Sequence, residues 1–371
     1  MTGTITRVPL ARPIIGAEER SEVDRVLASG MLAQGAEVAS FEAEFSEYVS
    51  GRPCVAVNSG TSALLLALMA MGIGRGDEVI LPGFTFAGTA NAVVLAGATP
   101  VFVDIDPKHF CLDPRAVEAA ITPCTAAVIP VHLYGHPADM DQLMAVAARH
   151  GLAVLEDAAQ AHLAAWRSRP VGTFGEAAAF SFYPTKNMTT GEGGLVVCAD
   201  TATARRVKVL RNQGMMGRYD HEFVGYNARM TDIGAAIGRV QLRRLPRWTS
   251  IRRENASRLS MELAAARIDS AVSLPQVADG ADPVWHQYTV RVRGRDEVAA
   301  KLDEAGVGSA VHYPNALHQL ALYRRFCRGR APGLPMAERA SRDVLSLPVH
   351  PLLSETDLSA VVAAVCRAVP N

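Results

Sequence analysis

What this 371-residue chain lacks narrows its function first. It has no excess charge: 37 basic residues balance 37 acidic ones, so no global field draws it to nucleic acid or an anionic membrane. Any anion site has to be local. It has no long apolar run either, and the longest, Ser62 to Ile73, is too short to cross a bilayer. The start of the chain, Met1 to Arg12, mixes Thr, Arg and Pro without an apolar h-region, so no secretory signal is expected. Cys54, Cys111, Cys124, Cys198, Cys327 and Cys366 form no CxxC pair and have no histidine at zinc-finger spacing. This pattern offers no metal site and fits reduced thiols in a cytoplasmic protein. Internal repeats and low-complexity tracts are absent. Gly72-Ile73-Gly74-Arg75-Gly76 follows a helical stretch instead of a strand and lacks the spacing of a dinucleotide fingerprint, which disfavours an NAD-dependent dehydrogenase.

The composition, 49% hydrophobic and 20% charged, is globular and supplies a substantial core. From Cys54 to Cys198 short β-branched runs alternate with Ala/Leu-rich helical stretches, the pattern of an α/β domain with a largely parallel sheet. Strands are expected at Cys54–Asn58, Glu78–Leu81, Pro100–Asp104, Ala126–Val131, Ala153–Glu156, Ala177–Tyr183 and Gly194–Cys198, giving a seven-stranded, mostly parallel sheet. Helices are expected at Ser62–Met71, Thr85–Ala96, Pro114–Ile121 and Met140–His150. An Ala-rich helix near Asp232 to Leu245 should stop at Pro246, with a long Arg-bearing helix after it. Strand Gln287–Val292, helix Asp296–Glu304 and terminal helix Glu355–Val369 suggest a smaller α+β domain. The expected division is 1–250 and 251–371.

Open sheets of this kind bind ligands beyond the strand C-termini, so the turns there carry the most information. Asn58-Ser59-Gly60-Thr61-Ser62 leaves a strand and opens a helix, offering backbone N–H groups and a helix dipole to an anion. An ordinary capped helix start explains the same residues equally well. Glu156-Asp157-Ala158-Ala159-Gln160 puts carboxylates at a strand end within an apolar stretch, which is costly unless a cation meets them. Asp157 as a plain N-cap is the competing explanation. Ser181-Phe182-Tyr183-Pro184-Thr185-Lys186-Asn187 places a lysine between a strand and a glycine-rich loop, where lost solvation suits it to Schiff-base formation. Phe86 follows another strand and has the shape to stack on a ring, with core packing as the alternative for both Phe84 and Phe86. An anion cradle, a strand-end aspartate and a strand-end lysine together match the phosphate, ring nitrogen and aldehyde of pyridoxal 5'-phosphate. Arg239, Arg243, Arg244, Arg247, Arg252 and Arg253 read as a solvated helical face with ion pairs ahead of a diphosphate or nucleic-acid contact.

Over almost its whole length the chain resembles the DegT/DnrJ/EryC1/StrS family of pyridoxal-phosphate-dependent nucleotide-sugar aminotransferases, of aminotransferase fold type I. The likeness rests on Asn-Ser-Gly-Thr-Ser-Ala, Glu-Asp-Ala-Ala-Gln, Ser-Phe-Tyr-Pro-Thr-Lys-Asn, Gly225-Tyr226-Asn227-Ala228-Arg229-Met230 and His312-Tyr313-Pro314 with His318. The resemblance implies that Lys186 carries the cofactor and acts as general base, that Asp157 holds the pyridine nitrogen, and that Gly60, Thr61 and Ser181 hold the phosphate. It gives Gln160 to the phenolic oxygen, Phe86 to the ring face, and Asn227 to the phosphate of a neighbouring subunit. Arg229, His312, Tyr313 and His318 become substrate contacts. A homodimer with shared active sites follows, with L-glutamate as donor, a pyridoxamine phosphate form, and a nucleotide-diphosphate keto-sugar as acceptor. A dTDP-4-keto-6-deoxyhexose is the first expectation. A 3-keto sugar, a keto-inositol, or a regulatory protein that kept the fold are the alternatives. A related sugar dehydratase uses histidine where this chain has Lys186, which argues against that activity. Thr231-Asp232-Ile233-Gly234 departs from the many relatives with Gln at the last position, a change expected to alter packing more than chemistry.

Overall fold

The computed structural model describes residues 7–268, 271–324, 326 and 333–369. Cys327 lies outside them; Cys54, Cys111, Cys124, Cys198 and Cys366 are free thiols. Seven strands form one sheet in the order Cys54–Val57, Gly194–Cys198, Ala177–Ser181, Ala153–Asp157, Thr125–Val128, Glu78–Pro82, Thr99–Val103. Gly194–Cys198 runs antiparallel to both neighbours, and the other adjacent pairs are parallel. Six strands therefore end on the same edge, at Val57, Pro82, Val103, Val128, Asp157 and Ser181. The central strands are covered on both faces, which is why they read as continuous apolar runs.

Local signals fix the helices around this sheet. Asp139 accepts the Gln142 N–H at 3.1 Å to open Met140–His150, and Gly151 closes it at φ 64°. Asp113 caps Pro114–Ala120. The first helix of the sheet begins at Gly60, two residues before the expected start, so that Gly60 and Thr61 belong to its first turn. A second core forms around a three-stranded antiparallel sheet, with Tyr288–Val292 between Val272–Ser273 and Val344–Leu347. Helices Arg295–Glu304 and Glu355–Ala368 contribute to this core, and Val8 joins it from the start of the chain.

The expected stop at Pro246 is wrong. One helix runs from Asp232 to Ala265 with Pro246 inside it. A proline removes one helical hydrogen bond, but the apolar residues on both sides are held by packing: Leu242 and Leu245 in one core, Ala256, Leu259 and Leu263 in another. The same helix carries the arginine row. Arg239 pairs with Glu37 and Glu44, and Arg243 and Arg244 pair with Glu18, as an ion-paired face requires. Arg252 departs from it. It is buried and gives Nη1 to the carbonyls of Trp285 and His286, because it points into the body of the protein. Residues 213–224 contain a short hairpin pairing Met215–Gly217 with Asp220–His221.

Candidate active site

The edge formed by the six strand ends gathers the residues singled out from the sequence. Ser59 Oγ accepts the Ser62 N–H at 3.1 Å and so caps the helix Gly60–Ala70. The Gly60 and Thr61 N–H groups find no acceptor among the described residues. Two donors and a helix N-terminus thus face the cleft. Gly60 has to be glycine: a Cβ there would lie 2.7 Å from Ser181 Cβ. Ser181 ends its own strand beside it. Thr61 and Phe86 meet over Gly88, where an added Cβ would lie 3.0 Å from Thr61 Oγ1 and 2.9 Å from Phe86 Cδ1.

Glu156 and Asp157 are adjacent in sequence but their side chains serve different surroundings, since successive strand residues face opposite ways. Glu156 turns into the core, where Gly172 N, Phe174 N and Gly175 N donate at 2.8, 2.8 and 3.0 Å and His132 Nε2 at 3.2 Å. His132 Nδ1 accepts the Ala138 N–H, so Nε2 carries the ring proton. Burial pushes the Glu156 carboxyl up, but these donors more than offset it and hold it below the usual glutamate value. Asp157 is buried beside the cleft. It accepts from Thr89 Oγ1 at 2.8 Å and Ala159 N at 3.2 Å. Burial raises its carboxyl above the ordinary value, with Thr89, Ala159 and the Lys186 charge opposing the rise. A buried carboxylate with so little compensation suits a cationic partner.

Lys186 lies partly buried in the turn after Ser181, and desolvation lowers its ammonium to about 8 against the pull of Asp157. Asn187 fastens this turn: its Nδ2 donates to Val284 O at 3.0 Å, and its Oδ1 lies 3.3 Å from His286 Nδ1. Burial, followed by the Lys186 and Arg252 charges, keeps His286 well below the usual histidine range. Gln160 is buried, with Oε1 accepting the Tyr134 N–H at 2.6 Å and Nε2 donating to Tyr313 Oη at 3.0 Å. His312 Nδ1 lies 3.0 Å from Ser346 Oγ, and burial followed by Lys186 lowers its ring to about 4. Phe86, 58% exposed, faces Tyr313 at 5.9 Å between ring centroids.

Three expected contacts lie apart from this cluster. His318 is buried against the Gly83 turn with Nε2 3.1 Å from Glu338 Oε1. Asn227 is exposed, and Arg229 gives Nη1 to Asn212 Oδ1 at 2.6 Å. Their segment pairs with the strand leading into the anion cradle, through Asn58 N to Ala228 O at 2.9 Å. Sequence reasoning missed Thr89, Tyr134 and His286. Thr89 alone left a trace, as a hydroxyl residue in an otherwise small and apolar helix. The other two are backbone and loop partners from distant segments.

Pyridoxal phosphate fits these residues: two unclaimed N–H donors for a phosphate, a buried carboxylate for a protonated ring nitrogen, and a desolvated lysine for an aldehyde. The profile of the DegT/DnrJ/EryC1/StrS aminotransferase family matches residues 13–366. The chain belongs to that family. It is 46% identical to the erythromycin biosynthesis sensory transduction protein EryC1 of Saccharopolyspora erythraea, over 93% of this chain and 95% of the relative. It is 46% identical to the dTDP-3-amino-3,4,6-trideoxy-alpha-D-glucose transaminase of Streptomyces venezuelae, over 94% of this chain and 91% of the relative. The solved structure of S. venezuelae DesV in complex with a ketimine intermediate superimposes with a TM-score of 0.90 at 44% identity, covering 97% of this chain and 98% of that one. As a member of the DegT/DnrJ/EryC1/StrS family the protein has the pyridoxal-phosphate-dependent transferase fold and is a sugar aminotransferase acting on nucleotide keto-sugars. Among the described residues no helix is long and apolar enough to cross a membrane.

Proposed function

We propose that this aminotransferase converts a dTDP-linked 3-keto deoxyhexose to the 3-amino sugar, with L-glutamate as amino donor, in an active site completed by a second copy of the chain. The observation that carries the reading is the convergence, on one sheet edge, of Lys186 lowered to about 8, buried Asp157, and the unclaimed N–H groups of Gly60 and Thr61. Bound pyridoxal phosphate supplies the aldehyde that receives the amino group and a protonated ring that accepts electrons. Gly60, Thr61 and Ser181 seat its phosphate. Asp157 keeps the ring nitrogen protonated, and Phe86 covers a ring face. Lys186 would anchor the cofactor through its amine and, once displaced by the donor, would take the proton from the donor Cα and deliver it across the nitrogen to the carbon that had been the aldehyde.

The nucleotide and the carbon are supported by the name of the S. venezuelae relative, a dTDP-3-amino sugar transaminase. That name favours the 3-keto acceptor over the 4-keto-6-deoxyhexose first expected. The second copy is supported by Asn227, exposed and without a side-chain hydrogen bond among the described residues, and by its exposed apolar neighbours Tyr219, Val224 and Tyr226. Tyr183 and Phe86 expose further apolar surface beside the cleft. In this arrangement Asn227 reaches the phosphate held by its partner and His312 lies on the side from which the sugar nucleotide enters, whereas His318, buried against Glu338, and Arg229, held by Asn212, position their own segments.

The acceptor is tested by presenting the pyridoxal-phosphate form with L-glutamate and a panel of dTDP-amino sugars and following conversion to the pyridoxamine form. Fastest conversion by a 3-amino deoxyhexose is expected. Preference for a 4-amino sugar refutes the assigned carbon, and no conversion by glutamate refutes the donor. The shared site is tested by refolding Lys186→Ala with Asn227→Ala. Mixed dimers regain one intact site if Asn227 serves its partner, whereas activity no higher than that of the single variants removes the shared-site reading.

A further inference from the structure

The Gln160 amide has only one orientation consistent with its neighbours. Because Oε1 accepts the Tyr134 N–H at 2.6 Å, the NH2 group has to face the cleft side, and one of its two protons goes to Tyr313 Oη at 3.0 Å. Tyr313 is thus an acceptor from Gln160, and its own O–H proton has no acceptor among the described residues. Burial pushes that phenol well above the usual tyrosine range, so the proton stays in place, and the Asp157 charge reaches the same oxygen. The segment is fixed from several sides. Tyr134 Oη donates to His312 O, His312 is tied to Ser346, and the Tyr313 ring packs on Phe84 at 6.2 Å and Phe86 at 5.9 Å. Gln160 and Tyr313 are 153 residues apart in the chain, and among the described residues each keeps one donor proton unclaimed.

We propose that Tyr313 and Gln160 form a two-donor clamp on a single anionic oxygen, the phenolic oxygen of pyridoxal phosphate, carried by the ring carbon beside the one that bears the aldehyde. This rests on the assignment of Lys186 and Asp157 to the cofactor and reaches beyond the family resemblance, which gives that oxygen to Gln160 alone and Tyr313 to the substrate. The physical effect is electrostatic preorganisation. The phenolic oxygen carries most charge when the neighbouring nitrogen that joins Lys186 to the cofactor is deprotonated. Two donors therefore favour the deprotonated form, and removal of one lets that nitrogen keep its proton to higher pH.

The experiment follows the visible absorbance of the pyridoxal-phosphate-loaded protein against pH with no amino substrate present. Tyr313→Phe keeps the ring packing and removes only the donor. Its midpoint should rise by about one pH unit, the scale set by one hydrogen bond to a charged oxygen. 3-Fluorotyrosine at position 313, a more acidic phenol, should lower the midpoint, a response that a purely structural tyrosine does not give. Thermal melts verify that both variants are folded. If Tyr313→Phe raises the midpoint by less than about half a unit, or lowers it, while the absorbance still depends on Lys186, the clamp is refuted and the cofactor assignment stands. If the wild-type absorbance survives Lys186→Ala, the cofactor assignment falls and the clamp with it.

Discussion

The lowered ammonium of Lys186 can be measured without any catalysis. In the cofactor-free protein, trace acetylation by acetic anhydride reacts only with neutral amines, and mass spectrometry of the Lys186 peptide reports the rate at each pH. Desolvation places the midpoint at about 8. At neutral pH the neutral fraction is then about 200-fold larger than that of an ordinary lysine, whose value is about 10.4. The sign of the shift also fixes a second outcome. Asp157 opposes the lowering, so Asp157→Asn should move the midpoint further down, below that of the wild type. Because the midpoint and not the absolute rate is compared, restricted access of the reagent to the cleft does not enter. A midpoint near the ordinary lysine value, or an upward move in Asp157→Asn, refutes the argument that burial prepares Lys186 for its role.

Glu156→Gln should cost about 2–4 kcal/mol in a denaturant melt, because an amide cannot accept from Gly172, Phe174, Gly175 and His132 at once; a loss under about 1 kcal/mol contradicts this account. The glutamate is held below its unfolded value, so its contribution is complete above that value and disappears as pH falls through the lower folded one. Two glycines in the helix Asp232–Ala265 should respond oppositely to alanine. At Gly234 the nearest atom to an added Cβ, Thr190 O, lies 3.4 Å away, and alanine should stabilise by about 0.5–1 kcal/mol. At Gly238 Thr190 Cγ2 would be 2.8 Å away, and alanine should destabilise by about 1–3 kcal/mol in the same melts.

The sheet was legible because its strands alternate with helices of ordinary length, and the turns after Cys54–Val57, Ala153–Asp157 and Ala177–Ser181 carry residues with chemistry. Gly60, Asp157, Gln160, Ser181 and Lys186 were visible for that reason: each stands at a strand end or within five residues of one, where the fold directs it to one edge. What stayed hidden depends on contacts across long sequence separations. Glu156 gave no sign of its three backbone donors, because the 172–175 loop has no polar side chain aimed at it. Tyr134 reaches Gln160 through its N–H, which no residue type announces, and His312 through a hydroxyl whose partner lies 178 residues away. Arg252 looked like its helical neighbours Arg243 and Arg244, and only the position of Trp285 and His286 decides that it is buried. Pro246 misled because a rule about local hydrogen bonding met packing on both sides strong enough to override it.

That proline has a mechanical meaning. With no N–H at position 246, the carbonyl of Leu242 lacks its intrahelical partner, so the rod from Asp232 to Ala265 is softest there. Leu242 and Leu245 are anchored in the body that carries the strand-end cleft, and Ala256, Leu259 and Leu263 in the body built on Tyr288–Val292. The helix is therefore held least by its own hydrogen bonds close to where its packing passes from one core to the other.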